Sequence, residues 1–240
     1  MPVDLAATDL VAQLERVGLR PPERLAQQII RSGPAAAGPL IALATDIEKL
    51  HGDEPHCFGP LHALRLLGEV RPPEMIAPLV AQYPIPLEYP DEELPRLWAT
   101  EAPQIIARIG APAMDALWAT ADDPAVHPVG RGVALNALTY LTAYAPETHD
   151  QVVAGLRERL RAYDDPKLLA TLILALGNLS DAESYGEVMA LYRAGRVDRE
   201  ALPPGTARQM LLTPSHQRLR CVNHPLWERY DEHGPRPSAE

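Results

Sequence analysis

A short phrase recurs along this chain: an apolar helix that stops at a glycine, followed within a few residues by a second apolar helix. It reads LLGEVRPPEMIAPL around Gly68, ARIGAPAMDAL around Gly110 and ALGNLSDAESYGEVMAL around Gly177. A weaker copy, IIRSGPAAAGPLIAL, surrounds Gly33. The intervals are 35, 42 and 67 residues, and the last spans a copy without the glycine, YLTAYAPETHDQVVAGL. Such a period belongs to stacked helical hairpins, each burying its apolar face only against its neighbours. The pattern therefore restricts the fold to an all-α solenoid of about five antiparallel hairpins with an irregular C-terminal tail. The glycines are expected to supply left-handed backbone where each first helix ends.

Periodicity places the elements. A first helix at 4–17 carries Leu10, Leu14 and Val17 on one face. Hairpins follow over 21–50, 60–83, 95–121, 131–163 and 166–194, with Pro39 expected to kink the helix that contains it. HGDEPHCFG at 51–59 reads as a loop, PIPLEYPDEELP at 84–95 as an acidic loop and DDPAVHPVGRG at 122–132 as a linker. Asp164-Asp165-Pro166 is a helix-start signal. A short helix is expected at 205–212, and HGPRPSAE at the end reads as disordered. No segment alternates as a strand does. The expected division is a repeat domain over 1–200 and an extension over 201–240 that caps the last repeat.

Composition narrows the partners. Lys+Arg is 22 against Asp+Glu 32, a formal charge of −10. A nucleic-acid backbone needs a basic surface, so nucleic acid is not an expected partner. The two cysteines, Cys57 and Cys221, make no disulfide framework. No signal peptide is evident, and the longest apolar run, LLATLILALGNL, is too short to span a bilayer. The expectation is a cytoplasmic protein with no membrane contact.

The helix–Gly–Pro–helix unit resembles HEAT-like repeats, particularly the short bacterial kind also found in phycobilisome-lyase-related proteins. The residues carrying the resemblance are Leu67-Gly68, Pro73, Ile76 and Leu79; Ile109-Gly110, Pro112, Met114 and Leu117; and Leu176-Gly177, Asp181-Ala182, Val188 and Leu191. It covers residues 20–195. The chain departs from the family pattern in its irregular spacing and in the missing glycine at 131–163. The resemblance implies a curved solenoid whose second helices line a concave face. Such proteins mostly bind other proteins, while some bind nucleic acid or act as enzymes.

Candidate sites follow from chemistry. Trp98 and Trp118 fall in the two helices of one hairpin and read either as aromatic anchors in a groove or as core. Glu101, one turn from Trp98, resembles the concave acid of HEAT-like alkylpurine DNA glycosylases, but the acid-rich run beside it opposes DNA. Cys57 and His62, with His51, His56, Asp53 and Glu54, form one weak metal candidate. Cys221-x-x-His224, with His216 and His233, forms another. Neither has finger-type spacing, so no metal and no cofactor is expected. Arg208, His216, Arg218, Arg220, His224 and Arg229 make a locally basic run, expected to fold back onto the acidic body. No catalytic motif is visible, and no catalytic residue is assigned.

The sequence thus reads as a protein-binding scaffold or adaptor. Expected groove residues are Glu74, Asp115, Arg157, Arg161, Glu187 and Arg193, on the polar faces of the second helices. The expected partner is another protein with a basic, partly apolar segment. The alternatives are a HEAT-like enzyme, either chromophore-lyase-like or glycosylase-like, and a regulatory module whose tail binds metal.

Overall fold

Caps and prolines decide where the helices start. The computed structural model describes residues 6–87, 92–214 and 218–236. Among them the chain is all helical, with thirteen α-helices and no strand. In order these are α1 (Ala7–Ala12), α2 (Glu23–Arg31), α3 (Pro34–Ala44), α4 (Gly59–Val70), α5 (Ile76–Val80), α6 (Glu93–Ala107), α7 (Met114–Asp122), α8 (Pro128–Tyr144), α9 (His149–Ala162), α10 (Pro166–Asn178), α11 (Tyr185–Arg193), α12 (Pro204–Leu212) and α13 (Leu226–His233). Proline opens α3, α8, α10 and α12, where its missing N–H is no loss. The Asp165 carboxylate accepts from the Leu168 amide at 2.8 Å and caps α10. The middle of the 84–95 stretch, residues 88–91, lies outside the described residues.

One arrangement occurs four times. A first helix ends, a three-residue 3₁₀ turn follows, and a second helix leaves it. The turns are Pro73–Met75, Ala111–Ala113, Pro146–Thr148 and Ala182–Ser184.

The glycines divide into two kinds. Gly33 (φ 53°) and Gly110 (φ 82°) hold left-handed backbone between helices, as expected. Gly68 and Gly177 do not. Both lie inside a helix, α4 and α10 respectively, and Arg71 (φ 58°) and Ser180 (φ 56°) take the left-handed positions instead. Their reason is packing. A Cβ on Gly68 would stand 2.8 Å from Ile105 Cδ1 on α6, and one on Gly177 2.8 Å from Met210 Cβ on α12. These two glycines let neighbouring helices approach.

The chain forms two compact units. One comprises Met1–Ile109 with His224–Glu240, the other Gly110–Asn223. This division differs from the 200/201 boundary expected from the weakening repeat. In the first unit α4 is central, packed by α2, α3 and α6. Leu61, Leu64, Leu66 and Leu67 are fully buried, so α4 is apolar nearly all round. Its exceptions, His62 and Arg65, are buried too. In the second unit α8 and α10 pack together, and Leu135, Leu138, Leu172 and Leu176 on them are fully buried. There α12 covers α10 and α11. No helix among the described residues is long and apolar enough to cross a membrane.

Candidate functional site

Polar groups buried in the first unit form one network. Arg65 on α4 donates from Nε and Nη2 to both oxygens of Glu101 on α6, at 2.9 and 2.6 Å. Its Nη1 donates to the Gly234 carbonyl at 2.7 Å, and its guanidinium lies 4.3 Å from the centre of the Tyr230 ring. Arg229 donates to Gln104 at 3.0 Å. His62 is held at both ring nitrogens, Nδ1 by the Tyr230 hydroxyl and Nε2 by the Gly18 carbonyl, each at 2.8 Å. A carbonyl can only accept, so Nε2 carries the proton and Nδ1 accepts from Tyr230. Burial lowers the His62 pKa to about 4, which keeps the ring neutral.

Burial counts against Glu101 and His62 as site residues, and for Trp98 it agrees with the core alternative. Glu101 is 1% exposed and Trp98 is fully buried, its Nε1 donating to the Ala44 carbonyl at 2.9 Å. Neither can meet a base or a peptide. His62 has both nitrogens engaged and cannot ligate a metal beside Cys57. For Glu101 and His62 the reason is α13, short and polar in sequence, which packs Arg229 and Tyr230 against them; Trp98 is instead held against the Ala44 carbonyl and the Tyr83 ring.

The other expected groove residues belong to the second unit, apart from Glu74, which is exposed in the first. Asp115 is exposed at the start of α7. Trp118 is half-buried: Arg159 stacks on it at 3.9 Å, and a Cβ on Gly155 would come within 2.6 Å of its ring. Arg159 also pairs with Asp122, whose carboxylate accepts from the Tyr163 hydroxyl at 2.8 Å. Burial would raise the Asp122 pKa, but bonds from Arg159 and Tyr163 outweigh it and hold it low. Trp118 thus fastens α7 to α9. Arg161 and Glu187 do come together, through two bonds of 2.9 and 3.0 Å. Arg157 pairs with Asp181 and with Glu183. These charges are spent on one another. Arg193 lines a shallow cavity of about 360 Å³ with Tyr185, Met189 and Arg199.

Part of the basic tail is engaged within its own unit, Arg229 in the first and Arg218 in the second. Arg218 donates to Gly177, Met210 and Thr213 oxygens at the ends of α10 and α12. Arg208 and Arg220 are exposed. His216 lies outside the described residues, as do 237–240 of the stretch read as disordered.

One open, charged cavity remains in the first unit. The 3₁₀ segments Ile47–His51 and His56–Phe58, the turn between them, the start of α6 and Arg236 enclose about 730 Å³. Leu50, Cys57, Phe58 and Pro95 form a buried apolar floor. Four carboxylates line the walls: Asp53, Glu54, Glu92 and Glu93. His51 meets Glu92 at 3.3 Å. Burial, reinforced by the Glu54 and Asp53 charges, pushes the Cys57 thiol pKa up, so the thiol stays protonated and is a poor nucleophile. The sequence flagged HGDEPHC for metal, but the partners across the cavity come from α6, some forty residues on. No metal-type cluster among the described residues includes Cys57 or Cys221. One includes His224, together with Glu232 and His233. No family model matches the chain, and neither a curated protein nor a solved structure does.

Proposed function

We propose that this chain is a HEAT-like binding module that holds a basic, partly apolar segment of a protein partner in the acidic cavity of its first unit. The observation that carries this reading is the lining itself: four carboxylates around an apolar floor, open to solvent. Asp53, Glu54 and Glu93 are exposed at its mouth. An arginine or lysine reaching in would be neutralised at its head and packed along its aliphatic stem. The formal charge of −10 would speed the encounter. The fourfold helix–3₁₀–helix arrangement supports the HEAT-like part of the reading. The glycosylase-like alternative has lost its acid, since Glu101 is sealed in the core.

The test separates this cavity from charge in general. A fluorescent peptide alternating arginine and leucine is titrated against the protein and two double variants of equal charge change. Asp53→Asn/Glu93→Gln is expected to weaken binding about five- to tenfold, as two partly exposed ion pairs allow. Glu74→Gln/Glu158→Gln, at residues that do not line the cavity, is expected to change it less than about twofold. Equal losses in both variants, or tight binding that neither affects, would sink the assignment.

A further inference from the structure

The C-terminal helix of the first unit carries a second, independent group of ligand-type atoms. His224 lies just before α13, and Glu232 and His233 are its last two residues. The candidate ligand atoms of all three lie within 4.8 Å of one another. His224 Nδ1 is 3.4 Å from Glu232 Oε2, and His233 Nε2 is 3.9 Å from the same oxygen. The two imidazoles stack, with centres 5.5 Å apart and planes 9° from parallel. Tetrahedral ligands at zinc distances stand roughly 3.3–3.5 Å apart, so one pair is already in place and small side-chain rotations complete the set.

Two further observations point to a cation. His224 Nδ1 is shielded from solvent and has no hydrogen-bond partner, an uncommon state for a ring nitrogen. Glu228 Oε1 lies 3.8 Å from the other nitrogen of the same ring. A small rotation would bring it into hydrogen-bond range, where the outer carboxylate of a metal-bound histidine orients the ring and raises its basicity. The neighbouring Arg108 donates to the His224 carbonyl but is itself paired with Glu69 at 2.8 Å, so its charge is compensated. Asp231 faces Arg20 and takes no part.

We infer that His224, Glu232 and His233 form a binding site for a first-row divalent cation, zinc foremost, with Glu228 as the outer carboxylate. Two imidazoles and one carboxylate suit zinc and leave a fourth position for water or a donor from a partner. The Glu232 and His233 side chains are 50% and 36% exposed, so that position opens to solvent. Bound metal would tie His224, ahead of α13, to the last turn of that helix, and so secure the helix that seals the Arg65–Glu101 pair. The site stands apart from the acidic cavity and does not depend on it.

The experiment titrates metal-free protein with Co²⁺ as spectroscopic probe and with Zn²⁺ in competition against a chromophoric chelator. The expected result is one equivalent bound, visible ligand-field bands of a low-coordinate site and no sulfur-to-cobalt charge-transfer band. His233→Ala and Glu232→Gln should each weaken binding at least about tenfold, and Glu228→Gln by a similar factor as an outer-shell change. His56→Ala should leave it unchanged. Glu232 is half-exposed, so its isosteric variant keeps the fold and the test even where the histidine variant does not. Three results overturn the inference: no stoichiometric binding, affinity indifferent to His233 and Glu232, or a thiolate band that assigns the metal to a cysteine.

Discussion

His62 shows how one buried side chain sets a pH limit on the fold. Its neutral ring accepts from Tyr230 and donates to Gly18, and the burial that makes this possible lowers its pKa from 6.5 to about 4. The unfolded chain therefore binds more protons between those two values, and stability must rise with pH across that window. Above pH 6.5 no penalty exists; below it the penalty grows until the folded ring itself protonates near pH 4. A shift of this size corresponds to about 3 kcal/mol at the acid end. Asp122 and Asp181, both held below the usual carboxylate value, begin to lose their contribution as the unfolded carboxylates protonate on approach to 3.8, at the acid end of the same window. They act alike in parent and variant, so the difference between the two curves isolates His62. Denaturant midpoints measured from pH 7 to pH 4 should fall steeply in the parent chain and more gently in His62→Gln. Parallel curves would remove His62 from the account.

At the scale of the helix, the same residue type plays opposite parts. Gly186 in α11 has open space where a Cβ would go, Gly68 meets the mobile tip of Ile105, and Gly155 meets the rigid Trp118 ring at 2.6 Å. Alanine in a helix gains about 0.5–1 kcal/mol over glycine, whereas overpacking costs about 1–3 kcal/mol. Thermal midpoints should therefore rank Gly186→Ala above the parent, Gly68→Ala near it and Gly155→Ala well below. Equal shifts at all three would show that packing is not what these glycines serve. The comparison also marks what the sequence could reveal. Helix α9 was legible from Val152, Val153, Leu156 and Leu160, all buried, and the start of α10 from Asp165. Gly68 and Gly177 misled because a glycine near a helix end reads as a turn, and only the neighbouring helix reveals its use. Helix α13 escaped because its buried residues are Leu226, Arg229 and Tyr230, too few and too polar for a periodic signal. The candidate cavity was half legible: 51–58 stood out by composition, but its pairing with Glu92 and Glu93 is a property of the fold.

For the chain as a whole, the decisive question is whether the last residues are a tail or a part. They end a sequence whose repeats fade after Asp198, which suggests an appendage. Yet His224–Glu240 belongs to the same compact unit as Met1–Ile109. Arg65, Glu101 and His62 are each 1% exposed or less, and each has a neighbour in α13 or just after it. Removing residues 224–240 would strip the Gly234 carbonyl from Arg65, the hydroxyl from His62 and the Tyr230 ring from both. A buried ion pair is tolerable only while its remaining donors and acceptors are satisfied, and breaking that condition costs about 3–5 kcal/mol. Chain ending at Asn223 should therefore lose amide-exchange protection in α4 and α6 by at least about tenfold, the amount expected when a cooperative unit opens more readily. Since α4 and α6 also support both sides of the acidic cavity, through Phe58 leading into one and Glu93 opening the other, binding of the basic peptide should fall with it. If exchange in α4 and α6 is instead unchanged, the other helices of the first unit hold themselves together and α13 is a cover that the fold does not need.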